Sequence, residues 1–166
     1  GTVRKDWGGR IPLALLFPNR YRVAMSNLGF QALYGLLNAQ ADIVCERATW
    51  EGADFPLLSL ESQRPLGEFP IWAFSVPFEL DYLHIVDMIR RAGLPLWAAE
   101  RGPHDPLLLG GGVALSANPE PVAPFLDAIV IGEAEPVLEA LLAALRSSRG
   151  REETLETLAR LPGVYV

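Results

Sequence analysis

Few residues in this sequence are of the types that carry out nucleophilic, acid–base or metal chemistry. It contains two histidines and one cysteine. We predict His84 in a helix and His104 in a loop rich in glycine and proline, and a metal ion at neither. Cys45 is expected to be a small apolar side chain inside a strand. Because no nucleophile elbow or catalytic dyad is visible either, we predict no catalytic residue and no metal site in this chain.

Three successive glycines, Gly110–Gly112, follow a run of leucines and are the most unusual feature of the sequence. Glycine permits positive φ angles and lets another backbone or a ligand come close. A tight turn after a strand explains the triplet equally well. The phosphate-binding patterns G-x-G-x-x-G and G-x-x-x-x-G-K-[ST] do not occur, which argues against a nucleotide site of the usual kinds.

Polar residues stand beside several predicted element ends. Ser26 and Asn27 precede a helical stretch, Ser75 ends a buried strand, and Glu133 and Glu135 flank the start of another helix. Each type also has a structural role, because Ser and Asn cap helices and carboxylates are favoured at helix N-termini. The sequence alone therefore leaves both ligand contact and capping open at these positions.

Apolar runs alternate with amphipathic stretches along the chain. The runs predict five strands, at residues 10–17, 42–49, 71–76, 106–111 and 127–133. Helices are predicted after Asn27 to about Asn38 and over 80–92, from Pro136 to about 148, and over 152–160. The stretches 19–25 and 50–70 are predicted as irregular. This order predicts an α/β fold of the flavodoxin-like (Rossmann-like), doubly wound kind, with a mostly parallel five-stranded sheet and helices on both faces.

Topology then predicts where a ligand would bind. Four unusual loops, at residues 19–27, 75–79, 110–116 and 132–136, each leave the carboxyl end of a predicted strand. In an open parallel sheet these ends meet at one edge, and ligands bind there. We therefore expect the candidate site at this edge.

The length, net charge and composition of the chain limit the classes of partner that we expect. The length of 166 residues suits about one domain, and the net charge of −6 argues against nucleic acid or an anionic membrane as partner. No apolar run reaches the length of a membrane span. A single cysteine rules out a disulfide within the chain and fits a reducing, cytoplasmic location.

Three stretches together resemble a known family: "MSNLG" at 25–29, "GGGVALSANPEP" at 110–121 and "GEAE" at 132–135. From about Ile11 to Leu145 the chain is similar to the N-terminal, cobalamin (B12)-binding-type domain of radical SAM proteins. The resemblance implies a tail at 1–10, a cobalamin-binding-type domain at 11–148, and a helix at 149–166 that begins a linker to a radical SAM domain. That further domain would hold a [4Fe–4S] cluster and cleave S-adenosylmethionine, so this chain by itself is expected to be non-catalytic.

The resemblance and the edge location together suggest a corrinoid-binding set. Its members are Asn19, Met25, Ser26, Asn27, Gly29, Ser75, Val76, Phe78, Gly110, Gly111, Gly112, Gly132 and Glu133. The small residues among them are expected to make room for the ring or the nucleotide tail of cobalamin. The first loop contains no histidine, so it offers no imidazole as an axial ligand to cobalt.

Three roles are open at this point. The domain binds a corrinoid; or it has lost that ability and serves substrate recognition or docking of the radical SAM domain; or it binds another small ligand, such as a flavin or a phosphorylated metabolite. The connection between the second and third strands is short, which is expected to leave one flank of the sheet thin or open to the further domain.

Overall fold

A six-stranded sheet forms the centre of the molecule, in the order β2-β1-β3-β4-β5-β6. The computed structural model describes residues 1–166. Its strands are β1 (Ile11–Phe17), β2 (Ile43–Thr49), β3 (Ile71–Ser75), β4 (Leu107–Gly111), β5 (Ala128–Val130) and β6 (Val164–Tyr165). The first five strands are parallel, and β6 runs antiparallel to β5. The predicted doubly wound fold is confirmed, with one additional strand.

Six α-helices connect or cover these strands: α1 (Tyr21–Ser26), α2 (Leu28–Ala39), α3 (Tyr82–Arg91), α4 (Val113–Ala117), α5 (Glu135–Ser147) and α6 (Arg151–Leu158). The prediction of an irregular segment over 19–25 is wrong, because Tyr21–Ser26 is helical. Two contacts that the local sequence does not show hold this turn. The Glu51 carboxylate accepts a hydrogen bond from the Tyr21 amide, and Ala24 is fully buried.

The fifth strand is shorter than the predicted 127–133. Asp127 lies just before it and turns its carboxylate toward Arg101 and Arg151. At the other end, Gly132 adopts a φ of 94° and directs the chain away from the sheet. The other four predicted strands agree with the structure to within one residue at each end.

Each face of the sheet carries its own apolar core. Leu13, Leu15 and Phe17 of β1 point to one face, where they join buried residues of α1, α2, α5 and α6. Ala14 and Leu16 point to the other face, which α3 and α4 cover. This double burial explains why β1 reads as a continuous apolar run rather than an alternating one.

The connection from β2 to β3 contains no α-helix, only a 3₁₀ turn at Leu66–Glu68. The flank it was expected to leave thin is nevertheless covered. Phe69 is fully buried there, and the ring of Trp7, from the N-terminal segment, meets it edge to face at 4.7 Å between centroids. Trp50 and Leu57 pack against the same core. This flank is thus closed by aromatic side chains of the chain itself.

The free edge of β2 is closed by hydrogen bonds. The Asn38 side chain donates to the Cys45 carbonyl at 3.0 Å and accepts from the Cys45 amide at 3.1 Å. The buried Glu61 carboxylate accepts from the Arg47 amide at 2.6 Å and pairs with the Arg47 guanidinium. Lys5 donates to the Ile43 carbonyl at 2.9 Å. Because these backbone groups already have hydrogen-bond partners, they are not available to pair with an added strand at this edge.

The end of the chain packs on the same sheet. Leu158 of α6 is fully buried in the first core, and Val164 of β6 pairs with Val130 of β5. The position at which a linker to a further domain begins stays a prediction. None of the helices combines the length and the apolar character that crossing a lipid bilayer requires.

Candidate functional site

Hydrogen bonds join neighbouring loops at the carboxyl edge of the sheet. After β3, the Val76 amide donates to the Gly111 carbonyl at 2.8 Å, and the Val76 carbonyl accepts from Ala114 at 3.2 Å. After β4, Ser116 donates to the Gly112 carbonyl at 3.0 Å and accepts from the amide of Gly132, beyond β5, at 2.8 Å. The edge predicted from the topology is therefore a continuous, internally bonded surface, and Ser116 is a linking residue that the sequence did not single out.

The glycine triplet is explained by the chain's own packing. A Cβ atom on Gly110 would lie 2.7 Å from side-chain carbons of both Leu115 and Leu126. Gly112 has a φ of 116°, and a Cβ atom there would lie 2.6 Å from the Val76 carbonyl oxygen. Only Gly111 meets its neighbours at an ordinary distance, 3.7 Å from Val130. The room that a nucleotide tail was expected to use at Gly110 and Gly112 is thus filled by this protein itself.

The residues of the first loop form local bonds. Asn27 caps α2, since its side-chain oxygen accepts from the Phe30 amide at 2.8 Å. Ser26 donates to the Val23 carbonyl at 2.9 Å. The Met25 sulfur lies 3.2 Å from the amide nitrogen of Gln31. These bonds show the capping role for Asn27, and a ligand role for this loop stays a prediction.

A second group of side chains lies at the point where the order of successive strands across the sheet reverses. From β1 the chain goes to β2 on one side and then to β3 on the other, so the crevice between the carboxyl ends of β1 and β3 is the switch point of the sheet. Four residues gather there, and we name them the switch-point cluster: Asn19, Trp50, Asp81 and His84. Of these, only Asn19 belongs to the set predicted from the sequence.

Short contacts hold the switch-point cluster together. Asn19 donates to one carboxylate oxygen of Asp81 at 2.8 Å. The Nδ1 atom of His84 lies 2.7 Å from the Pro18 carbonyl and 3.6 Å from the same Asp81 oxygen. The rings of Trp50 and His84 are stacked, with centroids 3.7 Å apart and planes inclined by 12°. The cluster therefore joins the loops after β1 and β2 to the start of α3.

Asp81 is the unusual member of the cluster. Its side chain is 1 % exposed, and its Oδ2 atom is buried without a hydrogen-bond partner. Burial raises the pKa of this carboxyl, while the bond from Asn19 and the nearby His84 act in the opposite direction. A buried carboxylate oxygen without a donor is costly, so this arrangement requires an explanation.

The sequence did not indicate Trp50 or Asp81 as site residues, and it placed His84 in a helix without assigning it to a site. The spacing of Asp81 and His84, three residues apart at the start of a helix, was a usable signal because such residues lie on one face. Trp50 carried no such signal, since it lies in the irregular 50–70 stretch.

No group of three or more His, Cys, Asp or Glu side chains is placed to hold a metal ion.

Large apolar side chains are exposed along the same edge. Leu80, in the 3₁₀ turn Glu79–Asp81 before α3, is 82 % exposed, and Leu83 at the start of α3 and Val113 at the start of α4 are each 75 % exposed. Leu28, the first residue of α2, and Phe78, just after β3, are also exposed. Each of these helices follows a parallel strand, so its first residues lie at the carboxyl edge. We call Leu28, Phe78, Leu80, Leu83 and Val113 the apolar rim.

Comparison with known proteins gives one match. A family model described as "Radical SAM proteins, N-terminal" matches residues 29–166, which is most of the chain. No curated protein and no solved structure matches the sequence. The match includes α2 apart from its first residue, Leu28, every strand after β1, the glycine triplet and the other four rim residues.

Proposed function

The chain belongs to the family of radical SAM N-terminal domains, and we propose that it docks through the apolar rim onto the radical SAM domain of the same polypeptide. The observation that carries this proposal is the exposure of Leu80, Leu83 and Val113 at one edge. Several large apolar side chains exposed at one edge indicate an interaction site in a soluble protein. Docking there would place the radical SAM domain over the loops that follow β3 and β4.

The energetics of the rim favour a protein surface as its partner. Covering one exposed leucine contributes about 2 kcal/mol, so Leu80 and Leu83 together supply a substantial part of a docking free energy. Two rim residues, Leu83 and Val113, lie in helices whose opposite faces are anchored in the core, as Tyr82 and Ile85 of α3 and Leu115 of α4 are. These two residues are therefore presented on rigid elements.

Hydrogen–deuterium exchange tests the docking. In the full-length polypeptide, the amides of residues 78–86 and 113–117 should exchange more slowly than in the 166-residue chain alone, because the radical SAM domain covers them. Leu83→Asp in the full-length polypeptide should return this exchange to the rate of the isolated chain. Leu36→Asp is the matched control, since Leu36 is an exposed leucine of α2 outside the rim. Equal exchange in the two native forms would refute docking at this edge.

Corrinoid binding at the carboxyl edge is the second candidate, supported by the resemblance and by the doubly wound topology. The fit is poor at Gly110 and Gly112, where Leu115, Leu126 and the Val76 backbone occupy the expected room. We therefore derive no role for a nucleotide tail between these strands. A saturable absorbance change on titration with hydroxocobalamin, lost in Gly111→Val, would assign a corrinoid to the edge. If the absorbance did not change during the titration, docking would remain as the proposed function. A yellow colour of the purified protein would indicate a bound flavin.

A further inference from the structure

Two walls of the switch-point crevice hold the Asp81 carboxylate. From the β1 side, Asn19 donates to Oδ1 at 2.8 Å. From the β3 side, the 3₁₀ turn Glu79–Asp81 carries the residue itself. Its second oxygen, Oδ2, is buried and receives no donor. A buried acceptor left without a donor is destabilising, so the Asp81 carboxylate lowers the stability of the fold.

The residues around Asp81 do not supply the missing donor. The only basic side-chain nitrogen within 4 Å is Nδ1 of His84, at 3.6 Å from Oδ1, and that nitrogen already lies 2.7 Å from the Pro18 carbonyl. Arg91, at the end of α3, pairs with Asp87 and with loop carbonyls instead. The donor must therefore come from outside this set of residues.

We propose that the switch-point crevice binds a cationic N–H group, an ammonium or a guanidinium, through the free oxygen of Asp81. Hydrogen bonds from a cation to a carboxylate are the strongest that this oxygen can accept. His84, whose Nδ1 lies 3.6 Å from Asp81 Oδ1, stacks on the ring of Trp50, and aromatic rings attract cations. The crevice is also the place where open parallel sheets bind ligands.

The route to Asp81 passes through an exposed segment. Phe78, just before the turn that carries it, and Leu80, within that turn, are 51 % and 82 % exposed. Within this segment, the Asp81 amide bonds to the Phe78 carbonyl and the Tyr82 amide bonds to the Glu79 carbonyl. A short surface turn opens at a lower free energy than the core, so the group reaches Oδ2 by displacement of this turn.

Titration with methylguanidinium, followed by ¹H–¹⁵N correlation spectra of the 166-residue chain, tests the proposal. The side-chain amide of Asn19 and the indole N–H of Trp50 should shift saturably, while the indole of the buried Trp72 should not. Asp81→Asn should lose at least tenfold in affinity. Glu79→Gln is the matched control, because it removes the same charge from an exposed position two residues away and should bind like the native chain.

Two outcomes would overturn the proposal: no saturable shift in the native chain, or equal affinity in native protein and Asp81→Asn. A measurement without a variant supplies an independent check, namely Overhauser contacts between the probe's methyl group and the His84 ring protons in the native chain. Their absence at saturating probe would also count against the site.

Repeating the titration on the full-length polypeptide identifies the source of the cation. If methylguanidinium binds both the 166-residue chain and the full-length polypeptide, the crevice is assigned to a free ligand. Binding in the 166-residue chain alone assigns it to a lysine or arginine of the radical SAM domain, and only this second assignment rests on the proposed docking. Because the exchange experiment reports docking without the probe, failure of one proposal is distinguishable from failure of the other.

Discussion

A Cβ atom on Gly112 would lie 2.6 Å from the carbonyl oxygen of Val76 and 2.9 Å from its amide nitrogen. Two features require glycine here, because the φ of 116° also lies outside the range that other residues adopt readily. The contact joins the ends of β3 and β4, where the Val76 amide bonds to Gly111. Gly112 is thus part of the scaffold of the carboxyl edge.

We expect Gly112→Ala to lower the free energy of unfolding by about 3 kcal/mol, from backbone strain and the displacement of Val76. Gly111→Ala is the control, since its Cβ would make only ordinary contacts of 3.7 Å with Val130, and it should change stability by less than about 1 kcal/mol. Urea unfolding followed by tryptophan fluorescence measures both. Equal stability of the two variants would show that the β3–β4 contact is not the constraint.

The sequence could predict the strands because their information is local. Runs such as Leu13–Phe17 are apolar at every position, and this pattern survives without knowledge of the partner strands. The helix Tyr21–Ser26 could not be predicted in the same way. It has only six residues, and the Glu51 carboxylate that bonds its first amide comes from a distant part of the chain. A short helix held by such contacts has little propensity of its own.

The position of the carboxyl edge could be predicted from the sequence, but the side chains that meet there could not. The edge followed from the order of strands and loops, and Asn19 lies there, while its role in binding a ligand stays a prediction. The glycine triplet indicated either a tight turn or a close approach, and its partners, Val76 and Leu126, lie beyond any local pattern. Asp81 was missed because its distinguishing property is a missing partner, which depends on the whole fold.

The second prediction concerns the contribution of the Asp127 carboxylate to the free energy of unfolding. Its carboxylate is 1 % exposed and pairs with both Arg101 and Arg151, while Arg101 is itself fully buried. The second carboxylate oxygen accepts from the Leu108 amide at 2.7 Å. Asp127→Asn would leave two guanidinium groups without a counter-charge, so we expect a loss of about 3–5 kcal/mol in the free energy of unfolding.

The matched control for Asp127 is the exposed pair of Asp42 and Arg146. It has the same residue types and a bond of 2.6 Å, but both side chains are partly exposed. Asp42→Asn should destabilise the fold much less than Asp127→Asn does, because solvent screens the exposed pair. Chemical denaturation of both variants at neutral pH measures the difference. If the two losses were alike, burial of the Asp127 pair would not be the source of its contribution.

The last prediction concerns the pH dependence that Asp81 gives to folding. Burial raises the pKa of this carboxyl above its ordinary value of 3.8, so the folded protein holds the proton more tightly than the unfolded chain does. The contribution of Asp81 to stability is therefore fully present below pH 3.8 and is lost as pH rises through the raised folded-state pKa.

Asp81→Asn removes this titration and keeps an oxygen that can accept from Asn19. We expect the variant to exceed the native chain in stability by about 1 kcal/mol at pH 8, and the advantage to shrink as pH falls toward 3.8. We subtract the native free energy of unfolding from that of the variant at each pH. This subtraction removes the pH dependence that the other carboxylates, including Glu46, contribute to both proteins. For Glu46, burial opposes ionisation, but hydrogen bonds from Ser59, Ser62 and Trp7 outweigh it and lower the pKa. A difference that did not vary between pH 4 and 8 would mean that Asp81 keeps the same protonation in the folded and unfolded states.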